Sequence, residues 1–217
     1  MTEYGRVVLV RHGECVFDAC GRAAGIINTE LTDTGRAQAH RCAEGLRTLG
    51  LHLPSVVASP LDRALLTARV LASTLRAPLT PRWELLDRHL GALSGLRHRD
   101  LARDSAGRDA CAIPDDERRP PELDESHPTM SQLQFGWDQW PQHARRPSES
   151  RADVRERVAQ LWHGTISHAR TTGDVIVVSH DEPLHALEHL TGRSQRPYAP
   201  GEVRVLTEPS DRFTQPN

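Results

Sequence analysis

Three short segments rich in apolar residues stand out along the chain, at residues 6–11, 54–58 and 174–179. Runs of this length predict strands that are covered on both faces, as the strands of a parallel sheet are. The third run is the most strand-like, because Val175-Ile176-Val177-Val178 is a block of β-branched residues. We therefore expect these runs to form the centre of a buried sheet.

Segments with helical spacing lie between and after these runs. Apolar residues recur every three or four positions from 37 to 49, and the segments 61–75 and 183–190 also predict helices. Thr32 is a candidate N-cap for the first helix, and the pair Ser59-Pro60 predicts the start of the second. The alternation of strands and helices predicts an α/β protein whose sheet is covered on both faces.

The stretch from about 97 to 147 differs from the rest of the chain, because it is rich in proline and charge and has little periodicity. We interpret it as an insertion over the carboxyl edge of the sheet. A disordered linker is the alternative, although large apolar residues give this segment something to bury: Leu133, Phe135, Trp137 and Trp140. The polar tail, about 207–217, is expected to be loosely held. The prediction is one domain over 1–217.

Composition excludes several classes of partner. The chain has 217 residues, enough for one domain with an insertion, and a formal net charge of −2. Such a charge gives no indication of a nucleic-acid or anionic-membrane partner. No apolar run approaches the ~20 residues that span a bilayer, and the N-terminus lacks the pattern of a secretory signal. We expect a cytoplasmic protein with no nucleic-acid and no membrane partner.

The cationic residues are unusual, since all 27 of them are arginine. The absence of lysine excludes Schiff-base chemistry and the lysine of a phosphate-binding P-loop. An anion would therefore be bound by Arg, His and backbone amides. The cysteines form no CxxC pair, which argues against a zinc ribbon and favours reduced, mostly buried thiols at Cys15, Cys20, Cys42 and Cys111.

Candidate chemistry lies at three strand ends that share one design. In each, an apolar run is followed by a sharp turn and a polar residue: Arg11-His12 after the first run, Arg63 after the second and His180 after the third. Because carboxyl ends of parallel strands meet at one edge, these side chains are expected to lie together. Two of the junctions also direct a helix N-terminus to that edge, where amides favour anions. The pattern predicts a phosphate-binding site.

Phosphoryl chemistry suggests a role for each of these residues. His12 would be a neutral nucleophile that forms a phosphohistidine, so its second ring nitrogen should donate to a backbone carbonyl. Arg11 and Arg63 would hold the phosphoryl oxygens, and His180 would be a further donor to them. A carboxylic acid must protonate the departing oxygen. No residue pattern in this group demands a metal ion.

These residues, in this order, resemble the histidine phosphatase superfamily, in the branch that contains cofactor-dependent phosphoglycerate mutase. The resemblance runs from about Gly5 to Leu206 and implies a three-layer α/β/α sandwich, attack by His12, and phosphate contacts from Arg11, Arg63 and His180. The matching motifs are RHGE at 11–14, ELTDTGRAQA at 30–39, SPLDRALLTA at 59–68, LLDRHLGALSG at 85–95, PSES at 147–150 and VVSHDEPLHAL at 177–187.

The proton donor is where the chain departs from the family pattern. The family usually has Glu where Asp87 stands, and Asp is one methylene shorter. This branch usually has Gly where Asp181 stands, whereas a distant branch, with acid phosphatases and phytases, uses an Asp there as proton donor. Asp87 and Asp181 are therefore rival acids, and we favour Asp87 because the motif around it is otherwise intact. Asp181 has a second interpretation as the cap of the helix that begins near Pro183.

Further departures concern the substrate. Asp18 and Glu182 stand where the mutase pattern has Asn, and their charge would weaken binding of a doubly anionic glycerate. Hydrolysis of another small phosphomonoester is the better hypothesis, with mutase activity as the alternative. No cofactor is expected, except 2,3-bisphosphoglycerate if the chain is a mutase, and a homodimer stays open. The candidate substrate-binding residues are Asp18, Gly25, Arg88 and Asp181.

Two interpretations outside phosphoryl transfer stay open. The sequence His185-Ala186-Leu187-Glu188-His189 matches the HxxEH pattern of inverted zinc peptidases, although so short a motif recurs by accident. A family member that lost catalysis and only binds a phosphorylated ligand is the other. Against it, His12, Arg11, Arg63 and His180 are all retained.

Overall fold

The computed structural model describes residues 4–98, 148–192 and 196–206. Residues 99–147 of the predicted insertion lie outside the described residues, and the predicted tail at 207–217 lies outside them as well. Within the described ranges, no helix is long and apolar enough to cross a membrane.

A five-stranded sheet forms the centre of the molecule, in the order β3-β2-β4-β1-β5. The neighbours β3–β2, β2–β4 and β4–β1 are parallel, and β5 pairs antiparallel with β1 at the edge. The mostly parallel sheet predicted from the apolar runs is thus confirmed. The strands are β1 (Val7–Arg11), β2 (Ser55–Ala58), β3 (Leu79–Pro81), β4 (Val175–Ser179) and β5 (Val203–Leu206).

Helices and helical turns connect these strands. In the described residues the helices are α1 (Val16–Ala19), α2 (Asp33–Thr48), α3 (Asp62–Leu75), α4 (Arg151–Leu161), α5 (Ser167–Ala169) and α6 (Asp181–Leu190). A π-helical turn, Trp162–Ile166, joins α4 to α5, and 3₁₀ turns lie at Trp83–Leu85 and Gly91–Leu93.

Alternation along the strands produces the layers. Successive residues of β1 point to opposite faces, so Val7 and Leu9 enter one apolar cluster while Val8 and Val10 enter another. The first cluster packs against α4 and α6, and the second against α2 and α3. The fold is therefore the three-layer α/β/α sandwich that the family resemblance implies.

Of the three helix starts predicted from the sequence, one is confirmed and two differ. Thr32 caps α2 as predicted, because its hydroxyl accepts the Gly35 amide at 3.0 Å. However, the N-cap of α3 is Leu61, so the prediction that Ser59 caps this helix is wrong. Ser59 instead turns its hydroxyl to His180. The last helix begins at Asp181, two residues earlier than predicted, since proline is tolerated in a first turn.

The loop that follows β1 packs directly against the start of α2. A Cβ on Gly13 would lie 2.3 Å from the carbonyl oxygen of Gly35, and a Cβ on Gly35 would lie 2.0 Å from that of Glu14. Backbone therefore touches backbone here, and only glycine fits at both positions.

At the opposite, amino edge of the sheet an ion pair ties the N-terminal segment to β4. The Asp174 carboxylate accepts the Arg6 amide at 2.6 Å, the Arg6 guanidinium at 2.7 Å and the His52 amide at 2.8 Å. These bonds hold its pKa below the usual range despite the opposing effect of burial. Every oxygen of this carboxylate has partners, so the cluster is a structural tie.

Candidate active site

The register of the sheet brings the predicted junctions to one edge. In the parallel pair β1–β4, Arg11 lies opposite Ser179, so His12 and His180 follow side by side. Their ring centroids are 5.0 Å apart in an edge-to-face arrangement. Because β2 pairs with the other side of β4, the first turn of α3 brings Arg63 to the same place.

His12 is buried, and its ring is fixed by one backbone bond. Nδ1 lies 2.7 Å from the carbonyl oxygen of Gly13, which can only accept, so Nδ1 carries the proton. Nε2 therefore has a free lone pair, which accepts from Arg63 Nε at 3.3 Å. Burial, together with the charges of Arg63 and Arg11, lowers the pKa of His12 to about 3. The backbone bond expected from the sequence is present.

Arg63 is fully buried and forms the centre of the site. Besides His12, its guanidinium donates to the carbonyl oxygens of Gly25 at 2.7 Å and Ile27 at 2.8 Å, and to Asp87 Oδ2 at 3.1 Å. Gly25 has a φ of +50°, and a Cβ there would lie 3.0 Å from the Arg88 carbonyl oxygen. Gly25 thus contributes a carbonyl that orients Arg63.

Arg11 is paired with Asp18 across the loop after β1. Its guanidinium donates to Asp18 Oδ1 at 2.8 Å and to the Tyr198 carbonyl oxygen, while Nε has no hydrogen-bond partner among the described residues. Asp18 Oδ2 accepts the Cys15 amide at 2.9 Å and lies 4.0 Å from His12 Nδ1. Burial opposes ionisation of Asp18, but the charge of Arg11 and the hydrogen bond from the Cys15 amide outweigh it and lower the pKa of Asp18.

Asp87 is the carboxylate that lies between Arg63 and His180. Its Oδ2 accepts from Arg63 at 3.1 Å and lies 3.8 Å from His180 Nδ1, while Oδ1 accepts the Arg88 amide at 2.9 Å. Burial raises its pKa to about 6, even though Arg63 favours the charged form. A carboxyl group with this pKa exchanges a proton near neutral pH, as a general acid–base must.

His180 is buried between Asp87 and Ser59. Its Nε2 lies 2.8 Å from the Ser59 hydroxyl, and Nδ1 has no hydrogen-bond partner in the described part of the chain. Burial, followed by the charge of Arg63, lowers the pKa of His180 well below its ordinary value. His180 is therefore neutral, and its Nδ1 lies 3.8 Å from Asp87 Oδ2.

A second layer of charge holds the Asp87 segment in place. Arg157 forms a two-bond ion pair with Glu149 at 2.9 and 3.0 Å and donates to the Asp87 carbonyl oxygen at 3.1 Å. Glu149 also accepts the His89 amide at 3.1 Å, and its carbonyl accepts Arg88 Nε at 2.8 Å. Sequence reasoning noted the PSES motif around Glu149 as a landmark but missed this role, which depends on contacts 60 residues apart.

Asp181 has other partners. Its Oδ1 accepts the Tyr198 amide at 2.7 Å, and its Oδ2 lies 3.5 Å from His185 Nδ1. As the first residue of α6 it does not cap that helix, so the capping interpretation is wrong. The side chain lines a cleft between α4 and α6 with Arg151 and His185. The residues that the structure does bring to His12 are Arg11, Asp18, Arg63, Asp87 and His180.

Two residues of the zinc-like motif, His185 and Glu188, have other partners. His185 Nε2 lies 2.7 Å from the Arg196 carbonyl oxygen, and its Nδ1 faces Asp181. Glu188 is paired with Arg204 at 3.0 Å. Among the residues described, no three His, Cys, Asp or Glu side chains form a group that could hold a metal.

The cysteines lie outside the group of reacting residues. Cys15 and Cys42 are buried, Cys20 is exposed, and all three are free thiols. Cys111 is outside the described residues. Burial raises the pKa of both buried thiols, so neither is a ready nucleophile.

Taken together, the carboxyl edge of the sheet holds a neutral imidazole with a free lone pair, arginine cations and a carboxyl group with a pKa of about 6. Such a set can transfer a phosphoryl group without a metal ion. The model of the histidine phosphatase superfamily (branch 1) matches residues 7–132 and 113–203. The chain belongs to this superfamily, whose members are phosphatases or phosphoglycerate mutase-like enzymes that generally need no metal cofactor.

The individual relatives include both a phosphoglycerate mutase and phosphatases. The chain is 29% identical to a 2,3-bisphosphoglycerate-dependent phosphoglycerate mutase of Staphylococcus carnosus, over 92% of this chain and 90% of that protein. A mycobacterial glucosyl-3-phosphoglycerate phosphatase is similar in fold, with a TM-score of 0.64, 24% identity and coverage of 94% and 92%. The α-ribazole phosphatase of Shigella flexneri has a TM-score of 0.65, 23% identity and coverage of 94% and 91%.

Proposed function

We propose that this chain is a phosphatase that hydrolyses a small phosphomonoester through a phosphohistidine on His12 Nε2. The observation that carries the proposal is the Nδ1 bond of His12 to Gly13, which leaves Nε2 unprotonated beside Arg63, and Arg63 in turn contacts Asp87. A pKa of about 3 keeps that nitrogen available at neutral pH.

In the first step His12 Nε2 attacks phosphorus and the bond from phosphorus to the ester oxygen breaks. In the resting site Arg63 Nε donates to Nε2, so substrate binding must shift that N–H from the ring to a phosphoryl oxygen. Arg11 and His180 supply further donors to the oxygens. Protonated Asp87 gives its proton to the leaving oxygen, and an alcohol departs.

In the second step water attacks the phosphoryl group and the bond from phosphorus to Nε2 breaks. Asp87, now ionised, takes the proton from that water and returns to its starting form. Inorganic phosphate leaves, and His12 is again neutral with its proton on Nδ1. One carboxyl group thus acts as acid and then as base, which suits its pKa of about 6.

Asp87 is the better candidate for this role than its rival. It lies within 3.8 Å of His180 and 3.1 Å of Arg63, whereas Asp181 contacts Tyr198 and His185. A proton donor must reach the leaving oxygen directly or through one water, which favours Asp87.

Charge around the site supports hydrolysis of an ester with one anionic group. Glu182 lies 3.1 Å from Arg151 and 3.9 Å from Arg88, so it offsets the cations beyond the phosphate site. Asp18 does the same for Arg11 at 2.8 Å. A second anionic group on the substrate would meet these carboxylates. The observation that favours the alternative, mutase activity, is the similarity to the Staphylococcus carnosus mutase over most of both chains.

The proposal is tested by trapping the intermediate and screening substrates. The protein is mixed with a chromogenic phosphomonoester, quenched in alkali, and examined by mass spectrometry for an acid-labile phosphate on His12. We expect turnover and labelling in the native protein. In His12→Ala we expect loss of both, by on the order of 10⁵-fold in kcat.

A panel of phosphomonoesters then separates the alternatives. Faster interconversion of 2- and 3-phosphoglycerate, primed with 2,3-bisphosphoglycerate, than hydrolysis of any ester would make the chain a mutase. Binding of phosphorylated ligands with no turnover across the panel would make it a non-catalytic binder. Turnover without any label on His12 would refute the phosphohistidine.

The assembly and location complete the proposal. A small phosphorylated substrate is the partner that the family supports. A homodimer and a cytoplasmic location stay predictions, which analytical ultracentrifugation and cell fractionation would test.

A further inference from the structure

Ser59 contacts Nε2 of His180, whereas the other ring nitrogen, Nδ1, lies 3.8 Å from Asp87 Oδ2. Ser59 follows β2, and both side chains are fully buried, with exposures of 0% for Ser59 and 1% for His180. The Ser59 hydroxyl has two hydrogen-bond contacts in the described residues: it accepts the Leu61 amide at 3.3 Å and lies 2.8 Å from His180 Nε2. The hydrogen bond between Ser59 Oγ and His180 Nε2 needs one donor, and either group could supply the proton.

In the first arrangement the Ser59 hydroxyl donates to His180 Nε2. The hydroxyl proton is then satisfied, and the ring carries its own proton on Nδ1. That N–H points toward Asp87, whose Oδ2 lies 3.8 Å away, and is free to meet a phosphoryl oxygen.

In the second arrangement His180 Nε2 donates to the Ser59 oxygen. Ser59 would then accept two bonds, and its own buried proton would have no acceptor among the described residues. Whenever Asp87 is ionised, the bare lone pair of Nδ1 would also face its carboxylate. Burying an unsatisfied donor and opposing two acceptors are both unfavourable, so the first arrangement is preferred.

We propose that Ser59 is a positioning residue that fixes His180 in the Nδ1–H tautomer and so aims a neutral donor at the phosphoryl group. This inference rests on the proposed phosphoryl-transfer function but not on the identity of the substrate. Ser59 touches neither substrate nor nucleophile, and acts only through His180.

The tautomer itself can be read by NMR. The native protein is labelled with ¹⁵N-histidine, and His180 is assigned by comparison with His180→Gln. We expect a protonated Nδ1 and a hydrogen-bonded acceptor Nε2 in the native protein. In Ser59→Ala we expect a mixture of tautomers or the Nε2–H form. A native Nε2–H signal, or an unchanged signal in Ser59→Ala, would overturn the proposal.

Ser179→Ala is the matched control for this spectrum. Ser179 is equally buried and adjacent to His180, but its hydroxyl donates to the Leu85 carbonyl oxygen at 2.8 Å. Ser179→Ala therefore also removes a buried hydroxyl group, but one that is not hydrogen-bonded to the imidazole of His180. We expect the tautomer of His180 to be unchanged in this variant. A shift in Ser179→Ala as large as that in Ser59→Ala would make the effect a packing response and refute the proposal.

Kinetics connect the tautomer to function. In Ser59→Ala we expect kcat/KM to fall by about 10- to 100-fold, somewhat less than the loss of a complete oxyanion donor. Ser59→Thr, which keeps the hydroxyl, should restore both the Nδ1–H signal and most of the rate. Where the added methyl group prevents folding, Ser59→Cys, with its weaker donor, should give an intermediate tautomer ratio and rate.

The two proposals can fail separately. A changed tautomer with an unchanged rate in Ser59→Ala would remove the catalytic role of Ser59 but leave the phosphohistidine intact. No turnover in the native protein, together with the expected tautomers, would refute the proposed function alone.

Discussion

The two edges of the sheet use the same pairing, an arginine with an aspartate, to opposite effect. At the amino edge Asp174 is saturated by Arg6 and the His52 amide, and its pKa lies below the ordinary range. At the carboxyl edge Asp87 meets Arg63 through one oxygen, and burial raises its pKa to about 6.

The two clusters differ in whether their buried polar atoms all have hydrogen-bond partners. In the described residues, Arg11 Nε and His180 Nδ1 are buried without a hydrogen-bond partner, and both belong to the carboxyl edge. Groups like these are costly in a structural tie and useful where an anion will supply the missing bonds. The comparison suggests that the amino edge stabilises the fold and that the carboxyl edge is preorganised for a ligand.

The largest expected effect is on catalysis at the carboxyl edge. Asp87→Asn removes the proposed proton donor to the leaving oxygen, so we expect kcat for an alkyl phosphate to fall by about 10²- to 10⁴-fold. An aryl phosphate with an acidic leaving group should lose much less, because its oxygen departs without a proton. Steady-state kinetics on both substrates measure the difference.

Asp181→Asn is the matched control for this experiment. Because Asp181 contacts Tyr198 and His185, we expect less than a tenfold change in kcat. Loss of activity in Asp181→Asn with retention in Asp87→Asn would reverse the assignment of the proton donor.

The pH profile of the native protein tests the same carboxyl group. We expect kcat/KM for the alkyl substrate to fall as pH rises above about 6, where Asp87 loses its proton.

A smaller effect, on stability alone, is expected at the amino edge. Asp174→Asn weakens the bonds to Arg6 and His52, and we expect the free energy of unfolding to fall by about 2 kcal/mol. The Arg6 side chain is 41% exposed and can be hydrated, which limits the loss. Urea denaturation measures it, with activity per folded molecule unchanged.

Glu44→Gln provides the reference for this measurement. It breaks an exposed ion pair with Arg47 on α2 and should change stability by no more than about 0.5 kcal/mol. An Asp174→Asn protein that is fully stable but inactive would contradict the division of labour between the two edges.

The smallest expected effect is a gain in stability in Asp87→Asn, the variant in which we also expect a loss of activity. Because the folded pKa of Asp87 lies above its ordinary value of 3.8, folding becomes less favourable as pH rises from about 4 to 6. The penalty at higher pH is at most about 3 kcal/mol. Since amide substitution also weakens the Arg63 contact, we expect Asp87→Asn to gain about 1 kcal/mol at pH 8.

At pH 4 the same substitution should give no gain, because Asp87 is then protonated in the folded protein. Denaturation curves at both pH values measure this difference. Equal destabilisation at pH 4 and pH 8 would mean that Asp87 is not strained in its ionised form.

The central elements could be predicted because their signals are local. Continuous apolar runs identified β1, β2 and β4, and helical spacing identified α2, α3 and α6. The residues that end these strands share an edge by the geometry of parallel sheets. For this reason His12, Arg63 and His180 could be expected to meet without any knowledge of the loops.

The remaining site contacts could not be predicted because they join distant segments. The carbonyl oxygens that hold Arg63 come from Gly25 and Ile27, in a loop with no periodicity. Ser59 follows the sequence rule for a helix cap, yet its hydroxyl is used by His180, 121 residues away. Local capping rules could not reveal that tertiary partner, and they failed at Asp181 for the same reason.

The contact between Gly13 and Gly35 limits how this protein could be re-engineered. Because there is no space for even a methyl group, a side chain at either position would force the loop after β1 away from α2. Directed evolution of new substrate preferences should therefore leave these two positions alone. Diversity is better introduced at Asp18, Arg151 and Glu182, where side chains rather than main chain define the surroundings of the proposed ester site.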